Sequence, residues 1–304
     1  MVSRPALRVV MTGVPVKSYV IVTAAYNEEG YIENLIQSVI GQTHRPLRWL
    51  IVSDGSTDHT DEIVESYARR YDFLHLHRIT EEHPRNFVAQ VYAINTGFAQ
   101  VKGSEYDFIG NLDADITLEP DYFSNLISRF EGNETLGLAG GYICELNRGV
   151  FQNRKANSTL SVAHAIQLFR RDCFEEIGGA YLPMPYGGPD WQAEVNARLH
   201  GWKVQAFADL SVYHHRPTGA VAGRLKTSYR EGLMDHSLGS HPCFELFRVL
   251  RRVRDRPYVI GATARLWAFM SASVRNGSRP VSREFVSFLR NYEWNRLKAL
   301  LTQR

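Results

Sequence analysis

Short apolar runs alternate with amphipathic stretches over residues 19–112, and this alternation limits the fold more than any other feature. Runs with the length and β-branched content of buried strands cover residues 19–25, 47–53, 73–79 and 107–112. Helical apolar spacing lies between them, as in 32–40 and 87–101. Strand–helix alternation of this kind predicts an α/β fold, Rossmann-like, with a mostly parallel sheet and helices on both faces.

Polar clusters follow three of these predicted strands, at the ends where open α/β sheets bind ligands. Asn27–Gly30 follows the first strand, Asp54–Asp58 the second and Asp113–Asp115 the fourth. Two carboxylates at a strand end can share a hard cation, and Mg²⁺ or Mn²⁺ held there could bridge the phosphates of a nucleotide diphosphate. The alternative for Asp113 and Asp115 alone is a solvated acidic loop.

Asp54 stands at the end of a predicted strand, where it could accept a hydrogen bond from the imide N–H of uracil or thymine. A carboxylate suits that donor because it only accepts. The residues after it, Ser56, Thr57 and Asp58, have a simpler interpretation as a turn that supplies the N-cap of the next helix.

Together these motifs resemble glycosyltransferase family 2. The resemblance rests on Ala24–Glu29, Asp54–Asp58, Asn95-x-Gly97 and Asp113–Asp115, in this order, and extends over about residues 18–220. It implies the GT-A fold and an inverting transfer from a nucleotide diphosphate sugar. Two departures are Ala24, where the family usually has proline, and Ser53, where it usually has a second aspartate.

The resemblance also implies roles for individual residues. Asp54 would hold the pyrimidine, Asp113 would face the ribose or sugar, and Asp115 would be the principal metal ligand. Tyr26 would pack near the base, and Trp191 is expected to form a wall for a sugar, with core packing as its alternative. The complete set expected to bind the nucleotide sugar is Ala24, Tyr26, Glu28, Asp54, Arg85, Asn95, Asp113, Ala114 and Trp191.

Asp190 is the candidate general base. It follows a glycine-rich segment where the family commonly has an acidic pair, and Pro189 replaces the first acid. An inverting transfer needs a base to take the proton of the attacking hydroxyl. The alternative is that Asp190 only caps a helix predicted over 191–200.

His214 is the candidate third metal ligand, with Asp115 and Asp113, for Mn²⁺ or Mg²⁺. The resemblance places a metal- or diphosphate-binding histidine after the last strand of the fold. His215 and Arg216 could instead neutralise the leaving diphosphate. The other histidines, His164 among them, default to structural or surface roles.

The chain is expected to divide into a catalytic domain, 1–220, and a basic helical extension, 221–304. Residues 241–304 carry thirteen lysines and arginines and four acids, a net charge of +9, against −6 for the rest. Apolar residues interleave with arginine there, as around Phe244–Val253, which predicts amphipathic helices. These could contact an anionic membrane or a lipid diphosphate, or they could cap the catalytic domain with a solvated basic face.

Composition bounds the class of protein. The chain has 304 residues, 44% of them apolar, and three widely separated cysteines, which suggests reduced thiols. No secretory signal or membrane-spanning run is recognisable, so a cytoplasmic location, or one at the inner face of the cytoplasmic membrane, is expected. No nucleic-acid-binding motif accompanies the basic tail, and a homo-oligomer is compatible with the sequence.

The expected reaction is transfer from a UDP-sugar, or next a dTDP-sugar, to a polysaccharide or lipid-linked oligosaccharide. The rival is a degenerate GT-A domain that only binds a nucleotide sugar or a partner protein. A nucleotidyltransferase is disfavoured because no glycine-rich phosphate loop precedes Asp54. A dinucleotide dehydrogenase is disfavoured because no G-x-G-x-x-G follows the first strand.

Overall fold

The computed structural model of the protein describes residues 17–81, 87–103, 105–216, 223–253, 258–275 and 279–302. Nine strands of these residues form one sheet. The strands are β1 (Tyr19–Ala25), β2 (Arg48–Ser53), β3 (Leu74–Arg78), β4 (Phe108–Leu112), β5 (Ile116–Leu118), β6 (Leu136–Asn147), β7 (Val150–Asn153), β8 (Ile166–Arg170) and β9 (Lys203–His214). The helices are α1 (Ile32–Ile40), α2 (Thr60–Ala68), α3 (Phe87–Val101), α4 (Tyr122–Glu131), α5 (Arg171–Glu176), α6 (Pro189–Leu199), α7 (Arg224–Leu238), α8 (Pro242–Arg252), α9 (Tyr258–Val274) and α10 (Arg283–Thr302).

The four strands predicted from the sequence are confirmed as β1 to β4, each to within one residue at either end. They pair in parallel, with β1 between β2 and β4 and with β3 outside β2. Val22 in the middle of β1 lies opposite Leu50 on one side and Asn111 on the other. Strands this apolar are stable only with both faces covered, and the cores on the two sides of the sheet supply that cover.

Beyond β4 the sheet is mixed. It continues in the order β8, β6, β9 and β5, and β7 pairs with β6. β8 runs antiparallel to both of its neighbours, whereas β6 and β9 pair in parallel. Strands β5 to β8 were not predicted from the sequence. One reason is that β6 contains Gly137, Gly140 and Gly141, and glycine is depleted in strands.

Gly97 lets α3 approach the sheet closely. A Cβ atom on this residue would lie 2.4 Å from Cγ1 of Val22, closer than atoms can approach without a shift. The glycine of the Asn95-x-Gly97 motif therefore has a packing role, which holds α3 against β1.

The start of α2 differs from the prediction. Its N-cap is His59, not Ser56, Thr57 or Asp58. Asp58 nevertheless provides a hydrogen-bond acceptor for the first turn of α2. Its Oδ1 accepts from the backbone N–H and from the hydroxyl of Thr60.

The predicted C-terminal helices are found as α7 to α10, and the boundary expected between 220 and 221 lies outside the described residues. Phe285 and Leu289 of α10 pack with Val195 of α6, so this part of the extension is anchored on the sheet-bearing part of the chain. No helix in the described ranges combines the length and apolarity needed to cross a membrane.

Candidate active site

The carboxyl ends of β1, β2 and β4 meet at one edge of the sheet, and the predicted acids lie there. Asp54 follows β2 and is buried, at 4% exposure. Its backbone N–H donates to the carbonyl of Ala25 at 2.9 Å, which joins the ends of β1 and β2. Asp113 follows β4 directly, and its Oδ1 accepts a hydrogen bond from Gln90 of α3 at 3.1 Å.

Pairing of β5 with β9 brings His214 to these acids. Ile116 lies opposite His214 in this antiparallel pair, so Asp115, one residue earlier, meets the end of β9. The His214 Nε2 atom lies 3.1 Å from Asp115 Oδ1. One ligand atom from each of Asp113, Asp115 and His214 lies within 4.8 Å of the others. We call these three residues the acid–histidine cluster.

The two acids of this cluster have opposite electrostatic environments. Burial raises the pKa of Asp113, and the neighbouring charge of Asp115 raises it further. Burial also acts to raise the pKa of Asp115, but hydrogen bonds and charges from His214 and Arg216 outweigh it and lower that pKa. Burial acts to lower the pKa of His214, and its bond to Asp115 reverses the direction. Negative charge is therefore held at Asp115.

The donor set fits a divalent cation. Carboxylate oxygens are the ligands that both Mg²⁺ and Mn²⁺ prefer, and imidazole is a common ligand of transition-metal ions such as Mn²⁺. The Nδ1 atom of His214 is buried and has no hydrogen-bond partner among the described residues, so this ring atom is not committed to another protein group there. The three residues predicted as metal ligands are thus brought together.

Arg216 and Glu28 form a contact across the cleft that the sequence did not indicate. Arg216 donates from Nε to Asp115 at 2.6 Å and from Nη2 to Glu28 at 2.5 Å. The loop after β1 is thereby joined to the residues after β9. Burial raises the pKa of Glu28 to about 7, although Arg216 opposes the rise. Glu28 was predicted to contact the nucleotide, and its partner here is Arg216.

Asp190 lies in the first turn of α6. Burial raises the pKa values of Asp113 and Tyr181, and the charge of Asp190 raises both further. The alternative that Asp190 is the N-cap is wrong, because Gly188 occupies that position with φ of 87° and Pro189 is the first helical residue. A carboxylate in the first turn is favoured by the helix dipole.

Glu194, one turn after Asp190, is hydrogen-bonded to the segment that leads into β8. Its Oε1 accepts hydrogen bonds from the Ser161 hydroxyl at 3.0 Å and the Val162 N–H at 2.8 Å. Burial raises the pKa of Glu194 to about 8, with the charge of Arg198 opposing.

We expect Glu194 to make stability fall as pH rises from 4.5 to about 8. Below pH 4.5 the carboxyl group of Glu194 is protonated in both the folded and the unfolded protein. Between pH 4.5 and about 8 it stays protonated only in the folded protein. The free energy of unfolding therefore falls by up to about 1.4 kcal/mol per pH unit across this window. Glu194→Gln, which cannot titrate, should lose this component in urea unfolding across the window. Glu175→Gln, at an exposed acid paired with Arg171, is the control and should keep the wild-type slope. A wild-type slope in Glu194→Gln would mean that Glu194 is ionised in the folded protein.

Trp191 contacts the C-terminal extension. Its ring centroid lies 6.3 Å from that of Tyr292 in α10, and the Arg198 guanidinium lies 5.8 Å from the indole. The buried Nε1 atom has no hydrogen-bond partner among the described residues. This position agrees with the packing alternative, and a contact with sugar stays a prediction.

Asn95 holds the backbone of Tyr181. Its amide donates to the Tyr181 carbonyl at 2.8 Å and accepts from the Tyr181 N–H at 2.9 Å. The Tyr181 hydroxyl is in turn 2.7 Å from Asn111 Oδ1 and 2.5 Å from Gln167 Oε1. Asn95 therefore acts here through Tyr181, and direct contact with a nucleotide stays a prediction.

His164 is a residue that the sequence interpretation assigned no role. Its ring lies edge-on to Tyr181 at 5.2 Å, and neither ring nitrogen has a hydrogen-bond partner among the described residues, although both are buried. Its charge opposes the rise in the pKa of Asp113 that burial causes. The only signal in the sequence is a histidine just before a buried run, 166–170.

The remaining predicted residues differ in exposure. Tyr26, directly after β1, is 44% exposed and open to a ligand. Ala24 is partly buried within β1, and Ala114 is buried between the two acids of the cluster. Arg85 lies outside the described residues.

Curated relatives match a limited part of the chain. An uncharacterized glycosyltransferase of Haemophilus influenzae is 26% identical over 123 residues, which are 40% of this chain and 36% of that protein. Poly-beta-1,6-N-acetyl-D-glucosamine synthase of Staphylococcus epidermidis is 28% identical over 118 residues, 39% of this chain and 26% of the relative. Putative glycosyltransferase EpsH of Bacillus subtilis is 32% identical over 118 residues, 38% of this chain and 30% of the relative. The chain thus spans about a quarter to a third of these relatives.

Solved structures match most of the chain and share the GT-A fold, which confirms the predicted fold. The mannosyltransferase PcManGT of Pyrobaculum calidifontis, in complex with GDP-Man and Mn²⁺, gives a TM-score of 0.54 at 17% identity, covering 94% of this chain and 80% of that one. Residues 1–349 of Staphylococcus aureus TarS, in complex with UDP-GlcNAc, give a TM-score of 0.54 at 14% identity. The match covers 86% of this chain and 73% of that one.

The family comparison agrees with the motifs. The model of glycosyl transferase family 2 matches residues 20–178, just over half of the chain. This range contains Asp54, Asp113 and Asp115, and it ends before Asp190 and His214. The chain belongs to glycosyl transferase family 2.

Proposed function

We propose that the protein is an inverting glycosyltransferase that moves a sugar from a nucleotide diphosphate to an acceptor hydroxyl. The observation that carries the proposal is the acid–histidine cluster at the carboxyl end of the sheet, with the charge of Asp190, at the start of α6, acting on Asp113. A degenerate binding domain would have no need for a clustered metal-ligand set opposite an acid.

Inversion follows from a single displacement at the anomeric carbon. The acceptor oxygen forms a bond to that carbon while the bond to the diphosphate oxygen breaks. Asp190 takes the proton of the acceptor hydroxyl, and the leaving nucleotide diphosphate carries away the bonding electron pair. A divalent cation held by Asp115, His214 and Asp113 would supply charge neutralisation for the diphosphate. Arg216, beside Asp115, adds fixed positive charge at the same place.

A UDP-sugar is the proposed donor, with a dTDP-sugar next. Asp54 would accept the imide N–H that both bases carry, and Tyr26 would lie against the base. Ala24, Ala114 and Arg85 complete the proposed nucleotide site, and Asn95 would act through Tyr181. TarS, a structural neighbour, binds UDP-GlcNAc, which supports this choice.

The acceptor is proposed to be a polysaccharide or a lipid-linked oligosaccharide. The name of the poly-beta-1,6-N-acetyl-D-glucosamine synthase among the relatives supports the first. Mn²⁺ or Mg²⁺ is the proposed cofactor, and the Mn²⁺ bound to PcManGT supports a divalent ion.

Release of nucleotide diphosphate from a panel of UDP-, dTDP- and GDP-sugars, with and without Mn²⁺, tests the proposal. We expect metal-stimulated release from one uridine or thymidine donor. Asp115→Asn should lower the metal-stimulated rate by about 10- to 100-fold, because it weakens the principal ligand. Asp209→Asn is the matched control, since Asp209 lies on β9 but is exposed and paired with Arg129. Binding of UDP with no release from any donor, with candidate acceptors present, would favour the degenerate binding domain.

A further inference from the structure

Most acidic side chains of the helical extension form ion pairs with arginines of neighbouring helices. Arg265 of α9 is buried and donates to three acids, Glu231, Asp235 and Glu245. Arg248 binds Asp235 at 2.7 Å and Glu293 at 3.1 Å. We call the whole set the ion network: Glu231, Asp235, Glu245, Arg248, Arg252, Arg265 and Glu293.

The outer surface of the extension is consequently left basic. Among its described residues only one acid, Glu284, lies outside the ion network. Exposed cations lie on α7, α8 and α10 and directly after α9: Lys226, Arg251, Arg275, Arg283 and Lys298. Net positive charge in the sequence thus becomes positive charge on the surface.

α9 exposes an apolar stripe along its whole length. The stripe consists of Ile260, Thr263, Trp267, Met270 and Val274, spaced three and four residues apart on one face. Trp267 is 68% exposed and Ile260 65%. Arg265 is the only charged residue of this helix, and it points to the opposite side, into the ion network.

The stripe continues onto α7. Leu225, Lys226 and Tyr229 of α7 line a groove of about 740 Å³ together with Trp267 and other residues of the stripe. Lys226 lies in the groove, and Arg275 follows the last residue of the stripe, so cations border the apolar surface at two places. We call this combined surface the α7–α9 face.

Several of the residues that the sequence suggested for membrane contact pack inside the extension. Phe244 and Val249 of α8, and Phe285 and Leu289 of α10, are buried among the helices. These four residues agree with the packed-cap alternative, whereas Leu250 of α8 is 63% exposed. The larger exposed apolar surface of the described helices lies on α7 and α9.

We propose that the α7–α9 face is a docking surface for an anionic lipid bilayer. Exposed Trp and Tyr beside aliphatic side chains suit the interface between headgroups and acyl chains, and the bordering cations suit anionic headgroups. A second copy of the chain is the poorer occupant, because the face carries the cations Lys226 and Arg275 and, among its described residues, no acid that could pair with them across a dimer interface. Docking would hold the active site near a lipid-linked acceptor, and that consequence alone rests on the proposed function.

Sedimentation with vesicles tests the docking without any donor or acceptor. The full-length protein should bind vesicles of phosphatidylcholine with phosphatidylglycerol, and should bind phosphatidylcholine alone much more weakly. Trp267→Ser with Met270→Ser should weaken binding about tenfold or more, because two large apolar side chains no longer enter the bilayer. Lys226→Gln and Arg275→Gln should each weaken it about fivefold and reduce its dependence on salt.

The matched control is Leu246→Ser with Leu250→Ser on α8, which removes two apolar side chains that are 48% and 63% exposed outside the face. This variant should bind like the wild type. The proposal is overturned if the α8 variant loses binding while the α9 variant keeps it, or if the wild type binds neither vesicle. It is also overturned if light scattering finds a wild-type dimer that Trp267→Ser with Met270→Ser converts to monomer without any change in vesicle binding. Because no transfer is measured, failure of the docking is separable from failure of the proposed reaction.

Discussion

Asp190→Asn is expected to lower the turnover number of glycosyl transfer by about 100- to 10,000-fold, the usual contribution of a general base. Asparagine is close to the same size but cannot accept the proton of the acceptor hydroxyl. Binding of the nucleotide donor should stay near the wild-type value, since the residues proposed for the base, Asp54 and Tyr26, lie on other elements. The measurement is steady-state transfer together with calorimetry of UDP binding in the presence of Mn²⁺.

Other acids near the cleft are less suited to this role. Asp113 and Asp115 belong to the acid–histidine cluster, where a cation and Arg216 would use their oxygens. Glu194 accepts hydrogen bonds from Ser161 and Val162 and is buried behind the helix start. Asp190 lies at the start of α6 and accepts no comparable pair of hydrogen bonds from the described residues.

Asp172→Asn is the control for this prediction. Asp172 also lies in the first turn of a helix, α5, but it is exposed and belongs to no predicted site. It should transfer at the wild-type rate. If Asp190→Asn kept a turnover number within a few-fold of the wild type, another group would have to be the base and the proposed mechanism would be wrong.

The sequence was sufficient for the parts of the site that follow from local order along the chain. Asp54 and Asp113 each follow a buried parallel strand, and parallel strands present the same ends at one edge of a sheet. Their proximity therefore follows from strand assignment alone. The proximity of His214 to Asp115 does not follow from local order, because the two residues are 99 positions apart and meet only through the pairing of β5 with β9.

Contacts between segments that are far apart in the sequence could not be predicted from its pattern. Arg216 and Glu28 are 188 residues apart, and neither lies in a periodic element that would predict the pairing. The signal at His164 was too weak to predict a role, because a histidine before a strand has many possible surroundings. The basic extension was misleading in a different way: its apolar–arginine pattern predicted helices correctly, but periodicity cannot tell which face meets other helices and which meets solvent.

Arg265→Met is expected to lower the free energy of unfolding by about 3–5 kcal/mol, the usual cost of removing one partner from a buried ion pair. Methionine fills much of the same volume, so packing changes little. Asp235 and Glu245 are buried and would lose a shared cation. Since domains are stable by only about 5–15 kcal/mol, this loss should unfold the extension before the rest or together with it. Urea unfolding and limited proteolysis measure it.

Dependence on pH separates lost charge from lost packing. In the wild type, burial raises the pKa of Glu245 while the charge of Arg265 opposes the rise, so removal of Arg265 should raise that pKa further. A proton bound by the folded state stabilises it as pH falls, and the deficit of Arg265→Met should therefore shrink toward acidic pH. Arg275→Met, directly after the same helix and exposed, should stay within about 0.5 kcal/mol of the wild type. An equal deficit in both variants, or one that is constant with pH, would show that the ion network does not hold α7, α8 and α9 together through charge.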